Sequence, residues 1–248
     1  MRENPAVPDR SGLNFWANLI WTRVCSAWRV LVAPLPTTGK DPREPPPERI
    51  DLGEFDRVIR LMAHLNRITR RASVPGRAAR ETVAEHCYLV ASVGLFLVTR
   101  YPHLYVGVDP FVYICSLLLH DLPEAFAGDA QWEDDPATKE RAEETAVRRL
   151  EADYPELAEL ITFIRRYIDR DGPAANRARS DEKLVATWVI FCSGGASWQA
   201  TGQTLAITKR VIADKVALTS PTPATIQLME EMFAVFELHP EVFAPEEV

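Results

Sequence analysis

The chain has 248 residues, of which 47% are hydrophobic, 25% charged and 9% aromatic. That is ample apolar material for a large core, and it excludes both a dominantly disordered chain and, with 11 glycines, a collagen-like one. A formal net charge of −7 argues against a protein built to coat nucleic acid.

The first predicted element is an arm. Phe15, Trp16, Leu19, Ile20, Val24, Trp28 and Leu31 recur at three- and four-residue steps, which predicts an amphipathic helix. Asn14, Asn18, Arg23 and Arg29 interrupt the apolar run, so it fits neither a transmembrane span nor a signal peptide. Two roles stay open: docking on the main body or on a second subunit, and peripheral membrane contact by residues 12–33. Residues 34–47 hold six of the nineteen prolines and read as an extended linker. A main domain is therefore expected from residue 48 to about 195, with further helices over 196–248 packing on it or on a dimer partner.

From residue 50 onward the apolar spacing is helical. Helices are expected near 50–65, 82–98, 111–120, 137–151, 155–168, 181–192, 203–218 and 222–237. The run at 111–120 is short enough to permit a buried strand as well. No strand–helix alternation, phosphate-binding glycine loop or internal repeat is present, so the fold class is all-α. The cysteines at 25, 87, 115 and 192 form no CxxC pair. They read as small buried or half-buried thiols of a reducing, cytoplasmic compartment.

Chemistry-bearing residues gather in the apolar helices. His86 closes Glu81-Thr-Val-Ala-Glu-His86, and His120-Asp121 follows the apolar run from Ile114. Glu124 and Asp129 come next, and Asp181-Glu182 opens a later apolar stretch. Buried carboxylates need partners, and a bound cation is one economical partner for imidazoles and carboxylates that converge. Ahead of His86, residues 57–80 contain seven arginines and neither an acidic residue nor a lysine. Guanidinium groups at that density suit phosphate, although most would serve as a solvated helix face.

Val83-Ala-Glu-His86, Leu118-Leu-His-Asp-Leu-Pro-Glu-Ala-Phe-Ala-Gly-Asp129 and Ser180-Asp-Glu-Lys-Leu-Val-Ala-Thr187 together resemble the HD-domain metal-dependent phosphohydrolases. Within them they resemble the bacterial 5'-deoxynucleotidase-like branch, over about residues 50–192. The resemblance implies an HD-type helical bundle and one divalent metal ion (Mn, Co, Fe, Zn or Mg). It implies His86, His120, Asp121 and Asp181 as the ligands. The Ala-Thr match selects Asp181 as the last ligand; the alternative, a spacing of two residues before a buried aliphatic, Leu184, would select Glu182. It further implies that Glu124 orients or deprotonates the attacking water and that Asp129 protonates the leaving oxygen. Phosphate or sugar would be held by Arg67, by its Asn-Arg context, or by Arg71, by its distance from His86. Neither is followed by the aromatic residue that the branch carries. The expected substrate is a small nucleotide, a (deoxy)nucleoside 5'-monophosphate first, not a nucleic-acid polymer, and the expected assembly is a homodimer. A triphosphate or signalling-nucleotide hydrolase and a non-catalytic nucleotide-sensing module are the alternatives.

The net charge divides by position. Residues 1–100 hold 15 basic and 10 acidic side chains, and residues 101–248 hold 13 and 25. An arginine-rich approach thus precedes a carboxylate-rich remainder, an arrangement suited to a small anion between arginine and a metal.

Overall fold

Asp51 starts the first helix by accepting hydrogen bonds from the backbone of Gly53 and Glu54, the local chemistry of an N-cap. This is α1, Leu52–His64. The structure, a computed structural model, describes residues 51–73, 75–76, 79–128 and 136–246. The arm and linker of 1–47, and Asp129 with the residues up to 135, lie outside them.

A single 3-10 turn, Leu65–Arg67, leads into strand β1, Thr69–Ser73, which pairs antiparallel with β2, Arg80–Thr82. The helical pattern does not announce this ribbon. Its pairing runs Thr69 to Thr82 and Ser73 to Arg80 with an irregularity between, so β1 carries extra residues over the same span. Thr82 then caps α2, Val83–Arg100, in a capping box with Glu85.

Asp109 caps α3, Pro110–Leu119, with proline in the first turn, which resolves the strand alternative for this run in favour of helix. The chain breaks around Pro123, as its position predicts, and resumes as the one-turn α4, Glu124–Ala127. Then come α5, Pro136–Asp153, and α6, Ala158–Asp169. Next is α7, Gly172–Cys192, which begins nine residues earlier than expected. Short α8, Ala196–Ala200, and the longer α9, Leu205–Ala217, and α10, Pro223–Glu237, complete the order. The expected all-α class holds: among the described residues β1 and β2 are the only named strands.

Three apolar clusters explain the packing. Leu61 and Leu65 meet Val83, Leu119, Leu150 and Ile164 beneath α1, α5 and α6. Val90, Tyr113, Leu117, Ala178 and Val185 join α2, α3 and α7. Leu184 of α7 meets Trp198, Ile212, Val216 and Phe236 of the C-terminal helices. Each fully buried aliphatic contributes about 1.5–3 kcal/mol. α2 and α3 approach closely at Gly94, where a Cβ would stand 2.3 Å from Leu117 Cδ1. α7 is shared by two clusters, and Arg177, Ser180, Asp181, Glu182 and Thr187 on it are buried.

Cys87 is buried and Cys115 half-buried, but Cys192 at the end of α7 is exposed, against the expectation of buried thiols.

Candidate metal centre

The apolar run of α3 carries His120 to a buried helix end. There its Nδ1 lies 2.8 Å from the carbonyl oxygen of Leu117. A carbonyl only accepts, so Nδ1 carries the proton and Nε2 presents its lone pair. His86 enters from the first turn of α2, with its Nδ1 3.5 Å from Glu81 Oε2 on β2. That carboxylate favours the same tautomer, and Nε2 again points away.

The two Nε2 atoms converge on Asp121 Oδ2, at 3.2 Å from His120 and 3.8 Å from His86. One ligand atom from each of the three residues lies within 4.8 Å of the others. Glu182 Oε1 approaches His86 Nε2 from α7, at 3.6 Å. Metal–ligand bonds of about 2.0–2.2 Å place adjacent donors about 3–3.5 Å apart, so these separations suit one divalent ion. Both Nε2 atoms are buried without a hydrogen-bond partner. Two neutral imidazoles and hard carboxylates are a fitting donor set for such an ion.

Asp181 is not brought to this group. Its Oδ2 accepts hydrogen bonds from the hydroxyls of Tyr105 and Tyr113, each at 2.7 Å. Arg177 Nε donates to the same carboxylate at 2.9 Å. The acid that matches the Ala-Thr motif is thus enclosed in a buried ion pair, and the alternative, Glu182, faces His86.

The electrostatics follow from burial and neighbours. Burial alone would raise the Asp121 carboxyl, but His120, Arg70 and His86 hold it well below its ordinary range. Burial would likewise raise Glu182, but Lys183 and the two histidines keep it ionised. For His86, burial and Arg70 press the imidazole down, while Glu182, Glu81 and Asp121 prevail and raise it. Burial and the Asp121 charge push the Cys87 thiol well up.

The arginine at the centre is neither of those expected. Arg70 NH1 lies 2.7 Å from Asp121 Oδ2, and its Nε is 3.6 Å from Glu81 Oε2. Arg67 ends the 3-10 turn and is exposed. Arg71 lies on β1 next to Arg70. A strand at 69–73 is what carries Arg70 to Asp121. Glu81, 2% exposed, was also missed. Its signal was its place five residues before His86, across a strand-to-helix junction. Glu124 opens α4, half-buried, with its backbone N–H bonded to the carbonyl of Asp121.

The family model described as HD domain matches residues 62–222. No curated protein matches the chain significantly. Among solved structures, the chain is similar to a predicted metal-dependent phosphohydrolase from Magnetospirillum magnetotacticum MS-1. The two share 22% identity over 78% of this chain and 96% of that one, with a TM-score of 0.65. It is also similar to a conserved hypothetical protein from Pyrococcus furiosus, at 21% identity over 74% and 99% of the two chains and a TM-score of 0.51. At these identities the likeness is one of fold.

Proposed function

The chain belongs to the HD-domain family, and we propose that it is a metal-dependent phosphohydrolase acting on nucleotides, with (deoxy)nucleoside 5'-monophosphates as the first substrates. One observation carries the reading. Two buried imidazole Nε2 atoms, free of hydrogen bonds, converge with Asp121 beside the guanidinium of Arg70.

His86, His120, Asp121 and Glu182 would hold the ion. A divalent cation there would supply Lewis acidity, polarising a phosphoryl oxygen and acidifying water. The chain's own residues do the rest. Glu81 and the Leu117 carbonyl fix the imidazole tautomers. Arg70, half-buried at the centre, binds the transferring phosphoryl group by the paired N–H donors of its guanidinium. Glu124 receives the proton of the attacking water, and Asp129 returns one to the leaving 5' oxygen, a division of base and acid between two carboxylates. The partner is a small phosphorylated metabolite, which the carboxylate-rich surroundings favour over a polymer.

The test is a metal-by-nucleotide screen on the purified chain with products identified. Orthophosphate from nucleoside monophosphates in the presence of Mn or Co supports the reading. Pyrophosphate or tripolyphosphate from larger nucleotides would move the substrate class. Stoichiometric metal with no turnover across the panel would leave a binding module. Release unaffected by His120→Ala or Asp121→Ala would refute the site.

A further inference from the structure

Glu182 is a carboxylate with two different sides. Its Oε1 faces His86 Nε2 at 3.6 Å, and its Oε2 meets Lys183 Nζ at 2.5 Å. The Tyr167 hydroxyl donates to the same Oε2 at 3.3 Å. Burial changes sharply across this short path. The side chains of His86 and Glu182 are 1% and 3% exposed, whereas that of Lys183 is 32% exposed. Arg70 at 19% and Asp121 at 15% lie between. Lys183 is thus the most exposed member of a contact chain that runs through Glu182 to His86.

We propose that Lys183 is a second phosphate-binding cation of this site, coupled to the metal through the shared carboxylate of Glu182. The inference rests on the phosphohydrolase reading and adds a substrate contact to it. Three physical points support it. A carboxylate that serves a dication through one oxygen has less charge to hold an ammonium on the other, so Lys183 is left with attraction to spare. Tyr167 keeps its hydrogen bond to Oε2, so Glu182 stays in place when the ammonium turns away. Among the described residues, the carboxylates of Glu81, Asp121, Glu124 and Glu182 gather at this centre, and the ammonium of Lys183 lessens their repulsion of a phosphate dianion. An ammonium on a flexible stem suits this task, because it acts as a movable point charge.

The full-length chain loaded with Mn is the material for the test, with inorganic phosphate as the probe. Phosphate affinity is measured by calorimetry and Mn affinity by the resonance signal of the free ion. Lys183→Met is expected to lower phosphate affinity about tenfold or more, the loss of one charge-assisted contact. It is expected to leave Mn affinity equal to or tighter than that of the unaltered chain. Lys183→Arg, which keeps the charge, is expected to restore most of the phosphate affinity. Phosphate affinity unchanged in Lys183→Met overturns the inference alone, provided the unaltered chain binds phosphate. A tenfold loss of Mn affinity in Lys183→Met also overturns it, because Lys183 would then be holding the ligand set together. An unaltered chain that holds Mn but neither binds nor releases phosphate overturns the phosphohydrolase reading and this inference together.

Discussion

Asp181 and Glu182 are consecutive in α7, yet their carboxylates belong to different clusters. Asp181 is bound by Arg177, Tyr105 and Tyr113, and Glu182 stands 3.6 Å from His86 Nε2. A helix turns about 100° per residue, so neighbouring side chains on a buried helix meet different surroundings. The two conservative amides should therefore separate stability from metal binding. Asp181→Asn leaves a buried guanidinium without its counter-charge and is expected to cost about 3–5 kcal/mol of stability, with metal stoichiometry retained in the folded fraction. Glu182→Gln is expected to fold with a melting temperature close to that of the parent and to lose metal affinity by about 100-fold or more. Thermal melts and metal titration on both proteins decide it. The reverse pattern would return the ligand role to Asp181.

That pair also shows what the sequence could and could not disclose. His86, His120 and Asp121 were legible through the motifs that carry the family resemblance, Val83-Ala-Glu-His86 and His120-Asp121, and the fold brings one ligand atom of each within 4.8 Å of the others. The choice between two adjacent acids was not legible. It depends on Tyr105 and Tyr113, which reach Asp181 across 76 and 68 positions. Arg70 was hidden for a different reason. Seven arginines over residues 57–80 look alike, and the five-residue strand of Thr, Arg, Arg, Ala and Ser that brings Arg70 to Asp121 carries almost no apolar alternation to reveal it. The helical class survived such omissions because the long apolar runs of α2 and α3 dominate the core.

Glu81 supports the centre without being placed as a ligand. It is 2% exposed and faces His86 Nδ1 at 3.5 Å. Replacing it with Gln removes the charge that steadies the imidazole but keeps the volume. Loss of such an outer partner typically weakens metal binding about 10–100-fold, and that range is expected for Glu81→Gln. A competitive chelator titration measures it. Affinity equal to that of the parent would show that the tautomer of His86 is set elsewhere.

Arg70 and Arg67 should differ in phosphate binding. Arg70 contacts Asp121 at 2.7 Å, whereas Arg67 is exposed at the end of a 3-10 turn. Arg70→Met removes a forked donor from the centre, and phosphate affinity of the Mn-loaded chain is expected to fall about 10–100-fold. Arg70→Lys should recover only part of it, because an ammonium lacks the planar fork. Arg67→Met is expected to change affinity less than about twofold, as a solvated surface charge does. Equal losses in Arg67→Met and Arg70→Met would place the phosphate nearer the 3-10 turn.

The tyrosines around α7 predict an alkaline limit to stability. Burial first, and then the charge of Asp181, pushes the phenols of Tyr105 and Tyr113 above their ordinary value, and burial with Glu182 does the same to Tyr167. Free tyrosine ionises near pH ~10. Below that value folded and unfolded chains hold the same phenolic protons, and the stability is fully present. As pH rises past ~10 the unfolded chain releases protons that the folded chain retains, so unfolding is favoured by about 1.4 kcal/mol per pH unit for each retained proton. The loss continues until the folded phenols ionise in turn. Urea unfolding at a series of pH values from ~8 to ~11 should therefore show stability falling at the alkaline end. Tyr113→Phe should fall less steeply, although it starts lower by the lost hydrogen bond to Asp181, about 1.5–3 kcal/mol for a charged acceptor. Parallel slopes for the parent and Tyr113→Phe would mean that Tyr113 ionises alike in the folded and unfolded chains, and that its hydroxyl is not held by Asp181.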